Sequence, residues 1–277
     1  MNRPKLVSVV ITTKNEQDVI EKLLKSTKNQ SYKRLEVILV DNNSSDRTLE
    51  IAKKMHVKFY TYGPERSAQR NLGANKARGE YLLFLDADME LTSNVIKECI
   101  RIAKSDKKIG AVIIPETSKA HNFWEKVKGF ERSFYNEKGD PITDAARFFS
   151  KKAFISAGGY DETITGPEDW DLPETIRELG FKIVKISSRI IHKERISSPF
   201  SLAKKKFYYG LRAYRYLSKH KIPLIGPKTI YFLRPVFLKN INKIIKHPIL
   251  SFGMVMMLSA ELIGGGMGYL VGRIRKL

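Results

Sequence analysis

The chain has 277 residues, 42% hydrophobic and 10% aromatic, enough to bury the core of one catalytic domain with an appendage. Its formal charge of +21 calls for an anionic partner: nucleic acid, a phosphorylated substrate or acidic lipid. A single cysteine, Cys99, excludes an intrachain disulfide framework; set among Val95, Ile96 and Ile100, it reads as a packing residue, consistent with a reducing compartment.

The first apolar run, Leu6 to Ile11, is too short for a signal peptide and instead suits a buried parallel strand. Asn15 is a candidate N-cap for a helix carrying Val19, Ile20, Leu23 and Leu24 at helical spacing. Leu35 to Val40 predicts a second strand, ended by Asp41-Asn-Asn-Ser-Ser-Asp46. Thr48 to Met55 predicts a helix and Val57 to Thr61 a strand. Ser67 to Arg78 predicts a helix closed by Gly79. Tyr81 to Leu85 predicts a strand ended by Asp86-Ala-Asp88, Asn94 to Ala103 a helix and Ala111 to Ile114 a strand. Strands alternating with helices predict an α/β, doubly wound, mainly parallel sheet, in which ligands bind beyond the carboxyl ends of strands. Asp41, Asp86 and Asp88 stand at such ends.

Farther along, Phe123, Trp124, Val127, Phe130 and Phe134 recur at helical spacing and suit a core face. Ala146 to Ser150 predicts a strand and Gly158-Gly159-Tyr-Asp161 a turn. Glu168 to Leu179 predicts a helix ended by Gly180. From Arg195 to His247 there are 13 Lys and Arg and no Asp or Glu, so the basic excess is concentrated late. Ser201 to His220 predicts an amphipathic helix, with Ala203, Phe207, Leu211 and Tyr214 on one stripe and Lys204, Tyr208, Arg212, Arg215 and Lys219 on another, a pattern of membrane interfaces. Ile222 to Leu238 is broken by Pro223, Pro227 and Pro235. Pro248 to Gly272 has 25 residues with one charge, Glu261. That run is long enough to cross ~30 Å of hydrocarbon at ~1.5 Å per residue. Gly264, Gly268 and Gly272 give overlapping GxxxG spacings. Membrane association, spanning or peripheral, is expected; a buried helix of an oligomer interface is the other reading. Interleaved tyrosines in the basic segment also fit base stacking, but aromatics beside a long apolar run fit lipid better, so no nucleic-acid partner is expected.

Three constellations carry chemistry. Asp86-Ala-Asp88, just past an apolar strand, suits a hard divalent cation, Mg²⁺ or Mn²⁺, that shares its oxygen shell with substrate phosphates; the same residues could cap the next helix. Glu168-Asp169-Trp170 opens a helix. Its acids either favour the positive helix end or supply a general base for a hydroxyl, and Trp170 suits the partly apolar face of an acceptor sugar. His192, after Ile190 and Ile191, is either structural or a third metal ligand. Arg132 and Arg147 could touch acceptor or phosphate, with structural salt bridges the expected role.

Taken in order, Ser8-Val-Val-Ile-Thr-Thr-Lys-Asn-Glu16, Asp41-Asn-Asn-Ser-Ser-Asp-Arg-Thr48, Arg70-Asn-Leu-Gly73, Gly79-Glu-Tyr-Leu-Leu-Phe-Leu-Asp-Ala-Asp88, Gly158-Gly-Tyr-Asp-Glu162 and Glu168-Asp169 resemble the motifs of family 2 glycosyltransferases of the GT-A fold. The resemblance covers about residues 5–195. It implies a catalytic domain over residues 1–200; the basic, apolar region over 201–277, expected from its charge and hydropathy to be membrane-associated, lies outside the resemblance. By position, Thr12 and Asp41 would hold the nucleotide base and ribose, with Asp41 on the uracil edge. Arg70 would lie near the nucleotide or its phosphates, and Asp86 near ribose or metal. Asp88 would bind the metal, joined by His192. Asp169 would be the catalytic base, with Glu168 beside it.

The implied reaction is inverting transfer from a nucleotide-diphosphate sugar, with UDP indicated by the Asp41 match alone. Relatives that glycosylate polyprenyl phosphates generally lack the Glu-Asp pair, so a hydroxyl of a lipid-linked saccharide, glycolipid or polysaccharide is the expected acceptor, presented at the cytoplasmic face of the membrane. Polyprenyl-phosphate sugar synthesis is the alternative, and a homo-oligomer is compatible. A nucleotidyltransferase would not call for the Glu168-Asp169 pair. No Walker sequence or dinucleotide fingerprint supports a kinase or dehydrogenase.

Overall fold

A computed structural model describes residues 4–136, 140 and 145–276. In chain order the elements are β1 (Val7–Thr13), α1 (Ile20–Lys28), β2 (Leu35–Asp41), α2 (Thr48–Lys54), β3 (Lys58–Thr61), α3 (Arg66–Lys76), β4 (Tyr81–Asp86), β5 (Met89–Leu91) and α4 (Val95–Ala103). There follow β6 (Ile109–Ile113), β7 (Glu116–Lys119), α5 (Phe123–Asn136), β8 (Ala146–Ser150), α6 (Lys151–Ser156), α7 (Glu168–Glu178), β9 (Lys182–Lys185), β10 (Ile190–Lys193) and α8 (Pro199–Lys219). A 3₁₀ turn (Tyr231–Leu233), α9 (Pro235–Lys239), α10 (Ile241–Lys246) and α11 (Pro248–Arg275) complete the described chain.

The chain divides into two compact units. The first comprises residues 1–116, 145–162 and 169–192; the second comprises 117–144, 163–168 and 193–277. This differs from a single boundary near residue 200, because α5 joins the late helices through its apolar face.

The first unit holds a seven-stranded sheet in the order β3-β2-β1-β4-β8-β6-β9. Every pairing is parallel except those of β8, which runs antiparallel to both β4 and β6. β1 lies centrally and is buried along its whole length. Its alternation feeds two cores. Val7, Val9 and Ile11 join α1 and α4 on one face, while Val10 joins residues of α3, α6 and α7 on the other. Each fully buried Val, Leu or Ile of this kind contributes about 1.5–3 kcal/mol relative to exposure. Gly73 lets α3 lie against β1, since a Cβ there would stand 2.3 Å from Val10 Cγ1. β5 pairs antiparallel with β10, setting His192 opposite Met89.

Two local expectations change. Asn15 does not cap α1; Val19 stands at that position. Instead, Asn15 adopts a left-handed φ of 55° and braces the loop after β2, its Oδ1 accepting from Ser45 N at 2.9 Å and its N donating to Ser44 Oγ at 2.7 Å. Asn tolerates this conformation better than most residues. Gly79 does not end α3, whose C-cap is Ala77. It is required where the chain passes β1, because a Cβ would lie 2.5 Å from Ser8 Oγ and 2.7 Å from Ser8 N.

The second unit is helical. Val127, Phe130 and Phe134 of α5 pack with Leu202, Phe237, Met254, Met257 and Leu258. Phe123, on the same helix, is 43% exposed. Within this unit Glu261 is buried: its carboxylate accepts from Lys128 Nζ at 2.7 Å and faces Lys206 Nζ at 3.0 Å. The one acid of α11 is thus neutralised by α5 and α8.

Candidate active site

Parallel pairing brings the loop-facing ends of three strands together. Thr12 lies in register with Val40 on one side and Asp86 on the other, and Thr13 with Asp41. Asp41 is fully buried. Its Oδ1 accepts from Thr13 Oγ1 at 2.7 Å and from Ser44 Oγ at 2.6 Å, and its Oδ2 from Ser44 N at 2.7 Å. A carboxylate offers about four acceptor positions, so three internal bonds fix this group and leave capacity for one more.

Arg70, on α3, is 1% exposed. Its Nη1 donates to Asp169 Oδ1 at 2.7 Å and its Nη2 to Asp86 Oδ1 at 2.9 Å. The guanidinium also stacks over the Tyr160 ring, 5.0 Å from the centroid. A buried charge is tolerated only with such compensation. The turn that presents Tyr160 begins with Gly158 and Gly159 at φ of 79° and 77°, a region glycine enters without steric cost. Asn71 holds that turn with both ends of its amide: Nδ2 donates to Tyr160 O at 2.8 Å and Oδ1 accepts from Tyr160 N at 2.9 Å. The Arg70-Asn and Gly-Gly-Tyr motifs therefore lock each other.

The ion pairs continue beyond Asp86. Arg147 Nη1 lies 3.4 Å from Asp86 Oδ2, and Arg147 Nη2 lies 2.7 Å from Glu116 Oε1. Glu116 Oε2 is 2.9 Å from His192 Nδ1, and His192 Nε2 is 3.4 Å from Asp88 Oδ1. Seven groups thus form one unbroken chain of polar contacts: Asp169, Arg70, Asp86, Arg147, Glu116, His192, Asp88. Burial by itself would raise the Asp86 carboxyl, but Arg70 and Arg147 outweigh it and hold the group far below the usual carboxylate range. Burial would lower Arg147, yet Glu116 and Asp86 raise it further, so both groups stay charged.

His192 gains its position from the β5–β10 pairing, which sets it beside the residue that follows Asp88. With the imidazole proton on Nδ1, toward Glu116 Oε2, Nε2 would be the nitrogen facing Asp88, the arrangement a metal-binding imidazole requires. The oxygen and nitrogen donors of Asp88 and His192 fit a divalent cation. Among the described residues no group of three or more His, Cys, Asp or Glu is arranged to hold a metal ion. A cation here would complete its shell from donor phosphates and water, as Mg²⁺ commonly does.

A family model described as "Glycosyl transferase family 2" matches residues 8–157. The GalNAc(5)-diNAcBac-PP-undecaprenol beta-1,3-glucosyltransferase of Campylobacter jejuni is 30% identical over 225 residues, covering 75% of this chain and 72% of the relative. The chain belongs to glycosyl transferase family 2. Other relatives of this glycosyltransferase match over a smaller part of their length. The 4,4'-diaponeurosporenoate glycosyltransferase of Staphylococcus haemolyticus is 40% identical over 102 residues, which is 34% of this chain and 27% of that protein. The fold is GT-A: the mannosyltransferase PcManGT of Pyrobaculum calidifontis, in complex with GDP-Man and Mn²⁺, aligns with TM-score 0.60 at 17% identity over 94% of this chain and 74% of its own. S. aureus TarS 1-349 in complex with UDP aligns with TM-score 0.57 at 16% identity over 94% and 90%.

Of the residues singled out by sequence in this family 2 glycosyltransferase, the structure gathers Arg70, Asp86, Asp88, Asp169 and His192 into one charge chain, with Thr12 beside Asp86 in register and Asp41 at the end of the neighbouring strand. Asp86, expected by ribose or metal, has its two oxygens on Arg70 and Arg147. Trp170 is half-buried, next to Asp169 on α7. Glu168 is 2% exposed and is grouped with the second unit. Arg147 forms the salt bridges expected of it, and Arg132 Nε pairs with Glu194 Oε1 at 3.2 Å. Sequence reasoning missed Glu116 and gave Tyr160 no role. Glu116 lies 76 positions from His192, and no local spacing links them; only its place just after Pro115, past a buried strand, could have drawn attention.

Proposed function

We propose that this protein is a metal-dependent, inverting hexosyltransferase, moving a sugar from a UDP-sugar to a hydroxyl of an acceptor presented at the cytoplasmic face of a membrane: a lipid-linked saccharide, a glycolipid or a cell-envelope polysaccharide. The observation that carries the reading is the charge chain from Asp169 to Asp88, which lies wholly within the GT-A unit. It supplies an acid at each end and two fixed cations between them.

Asp88 and His192 would hold a Mg²⁺ or Mn²⁺ ion, which when bound neutralises the diphosphate leaving group. Thr12 and Asp41 hold the nucleotide. Arg70 grips Oδ1 of Asp169 and so orients the carboxylate, whose Oδ2 takes the proton of the acceptor hydroxyl. That oxygen attacks the anomeric carbon from the face opposite the diphosphate. The new C–O bond forms as the bond to the diphosphate oxygen breaks, with oxocarbenium character, and the anomeric centre inverts. Glu168 adds negative charge beside the base, and Trp170 offers an aromatic face to the acceptor sugar.

A polyprenyl phosphate is already anionic and needs no base, so the Asp169 carboxylate favours a hydroxyl acceptor. The Campylobacter relative's name carries an undecaprenol-linked saccharide, which supports a membrane-presented acceptor. The apolar helix α11 and the basic segment before it support the same location.

Two measurements test the proposal. In a thermal-shift screen of nucleoside diphosphates, UDP should stabilise the protein more than GDP, and only with Mn²⁺ or Mg²⁺ present. With radiolabelled UDP-sugars and a membrane lipid extract, labelled product should resist mild acid. Rapid release of sugar by mild acid would identify a phosphodiester product and overturn the hydroxyl acceptor. Equal turnover in excess chelator would overturn the metal.

A further inference from the structure

We infer that α11 lies flat in the membrane surface as a monotopic anchor, its outward face in an anionic bilayer, and does not cross it. This rests on the membrane location proposed above and specifies its geometry.

α11 is apolar around its whole circumference, yet the second unit uses only one side of it. Its 28 residues extend ~42 Å at ~1.5 Å per residue. On the inner side, Gly264, Gly268 and Gly272 touch the backbone of α8. A Cβ on them would stand 2.2 Å from Ala203 O, 2.1 Å from Phe207 O and 1.8 Å from Leu211 O. The three contacts advance together by four residues on each helix, so α8 and α11 run parallel through a glycine seam. The GxxxG spacing is consumed inside the chain and is not available to a second copy. Nearer its start, α11 is held by α5: Gly253 faces Val127, and Met254, Met257 and Leu258 pack with Phe130 and Phe134. Between these contacts Glu261 is buried on Lys128 and Lys206. The helix is therefore fastened along most of its length.

The outer side is bare. Ile249 is 72% exposed, Phe252 70%, Ile263 62%, Leu270 59% and Ile274 79%. These recur along the helix at spacings that keep them on one face. Single exposed apolar residues need no explanation, but a continuous face of this length does.

The occupant follows from charge. Lys239 and Lys246 before the helix, and Arg273, Arg275 and Lys276 at its end, are exposed cations, and no acid occurs between Arg195 and His247. Cations at both ends of an exposed apolar face match anionic headgroups flanking an apolar boundary.

Crossing the bilayer is opposed by the inner contacts. Were α11 to span with its packing intact, α8 would be carried along, and with it Lys204, Lys205, Arg212, Arg215 and Lys219, charges that hydrocarbon excludes. Were it to span alone, it would have to leave α5 and α8, taking Glu261 into lipid without its two lysines. Lying in the interface keeps every inner contact and covers the outer face.

The test uses the full chain and sealed vesicles. The protein should float with phosphatidylcholine–phosphatidylglycerol vesicles and at least tenfold less with phosphatidylcholine alone. The double substitution Ile263→Glu, Met267→Glu should abolish flotation while leaving the melting temperature and UDP binding unchanged. Because Cys99 is fully buried, nitroxide labels can be placed selectively at Ile249→Cys and Ile274→Cys; both should report the same shallow depth. A tag after the C-terminus should be fully digested by protease added outside. Failure to float would overturn the membrane location itself. Flotation with a protected tag, or labels at opposite surfaces, would overturn the flat orientation while leaving that location standing. A stable dimer that does not float, and that the double substitution splits, would assign the face to a second copy and overturn the inference.

Discussion

Arg70 Nη1 lies 2.7 Å from Asp169 Oδ1 although the two residues are 99 positions apart. The same guanidinium holds Asp86 at 2.9 Å, so one buried cation ties the candidate base to the end of β4. Replacing Arg70 by Met would leave both carboxylates without this cation and should cost about 3–5 kcal/mol of stability. Lysine restores the charge but not the two-pronged geometry. Arg70→Lys should fold, keep donor affinity, and lose about 10²-fold in kcat through misplacement of Asp169. Thermal melts and donor-titrated kinetics on both variants check this; unchanged kcat in Arg70→Lys would remove Arg70 from that positioning role.

Asp169→Asn keeps the shape of the side chain and removes its basicity. Transfer should fall about 10²–10⁴-fold, with UDP-sugar binding retained. Calorimetric donor binding alongside single-turnover transfer separates the two effects.

His192 and Glu116 act as a pair. His192→Ala should raise the concentration of Mn²⁺ needed for half-maximal turnover. Glu116→Gln, which disturbs the imidazole's hydrogen bond without touching the cation, should weaken metal affinity about 10–100-fold. Metal titrations of the two variants are the measurement. Identical curves for both variants and the parent protein would place the metal elsewhere.

Glu98 links pH to the placement of β10. Its Oε1 accepts from Ser187 N at 3.0 Å and its Oε2 from Ser188 N at 2.8 Å, in the turn leading to β10. Burial by itself raises this carboxyl, but the bonds from Ser188 and Ser187 outweigh it and pull the group from 4.5 to about 2. Because the folded value lies below the unfolded one, the stabilisation is fully present above about pH 4.5 and is lost as pH falls towards 2. The group is partly solvated, so about 1–2 kcal/mol is expected. Glu98→Gln should lower the melting temperature at pH 7 and flatten its fall between pH 5 and pH 2 (about the window set by the two values).

Gly268 tests the seam in the second unit. A Cβ there would lie 2.1 Å from the carbonyl oxygen of Phe207, and backbone cannot step aside as a side chain can. Gly268→Ala should destabilise by about 1–3 kcal/mol, whereas Gly266→Ala, with no neighbour near the added carbon, should be neutral or slightly stabilising through helix propensity. Chemical denaturation of the two variants compares them directly.

Much of this was legible in the chain. The buried strands announced themselves because a strand covered on both faces must be almost wholly apolar, as Leu82 to Leu85 is throughout and Val7 to Ile11 is except for Ser8. The acids at strand ends followed from the geometry of parallel sheets, and six ordered motifs carried the family. Asn15 and Gly79 were misassigned because local rules score them as a cap and a helix stop, while each answers to a loop or strand far away in sequence.

The sequence by itself determined the α/β alternation, the family, the acids at positions 41, 86, 88 and 169, and the apolar length of the last helix, because each is written in local pattern. Tertiary structure alone decided that Arg70 sits between two carboxylates, that Glu116 orients His192, and which side of α11 remains uncovered. Those facts depend on side chains meeting across 16 to 133 positions, and no periodicity along a chain encodes which distant charge will neutralise a buried one.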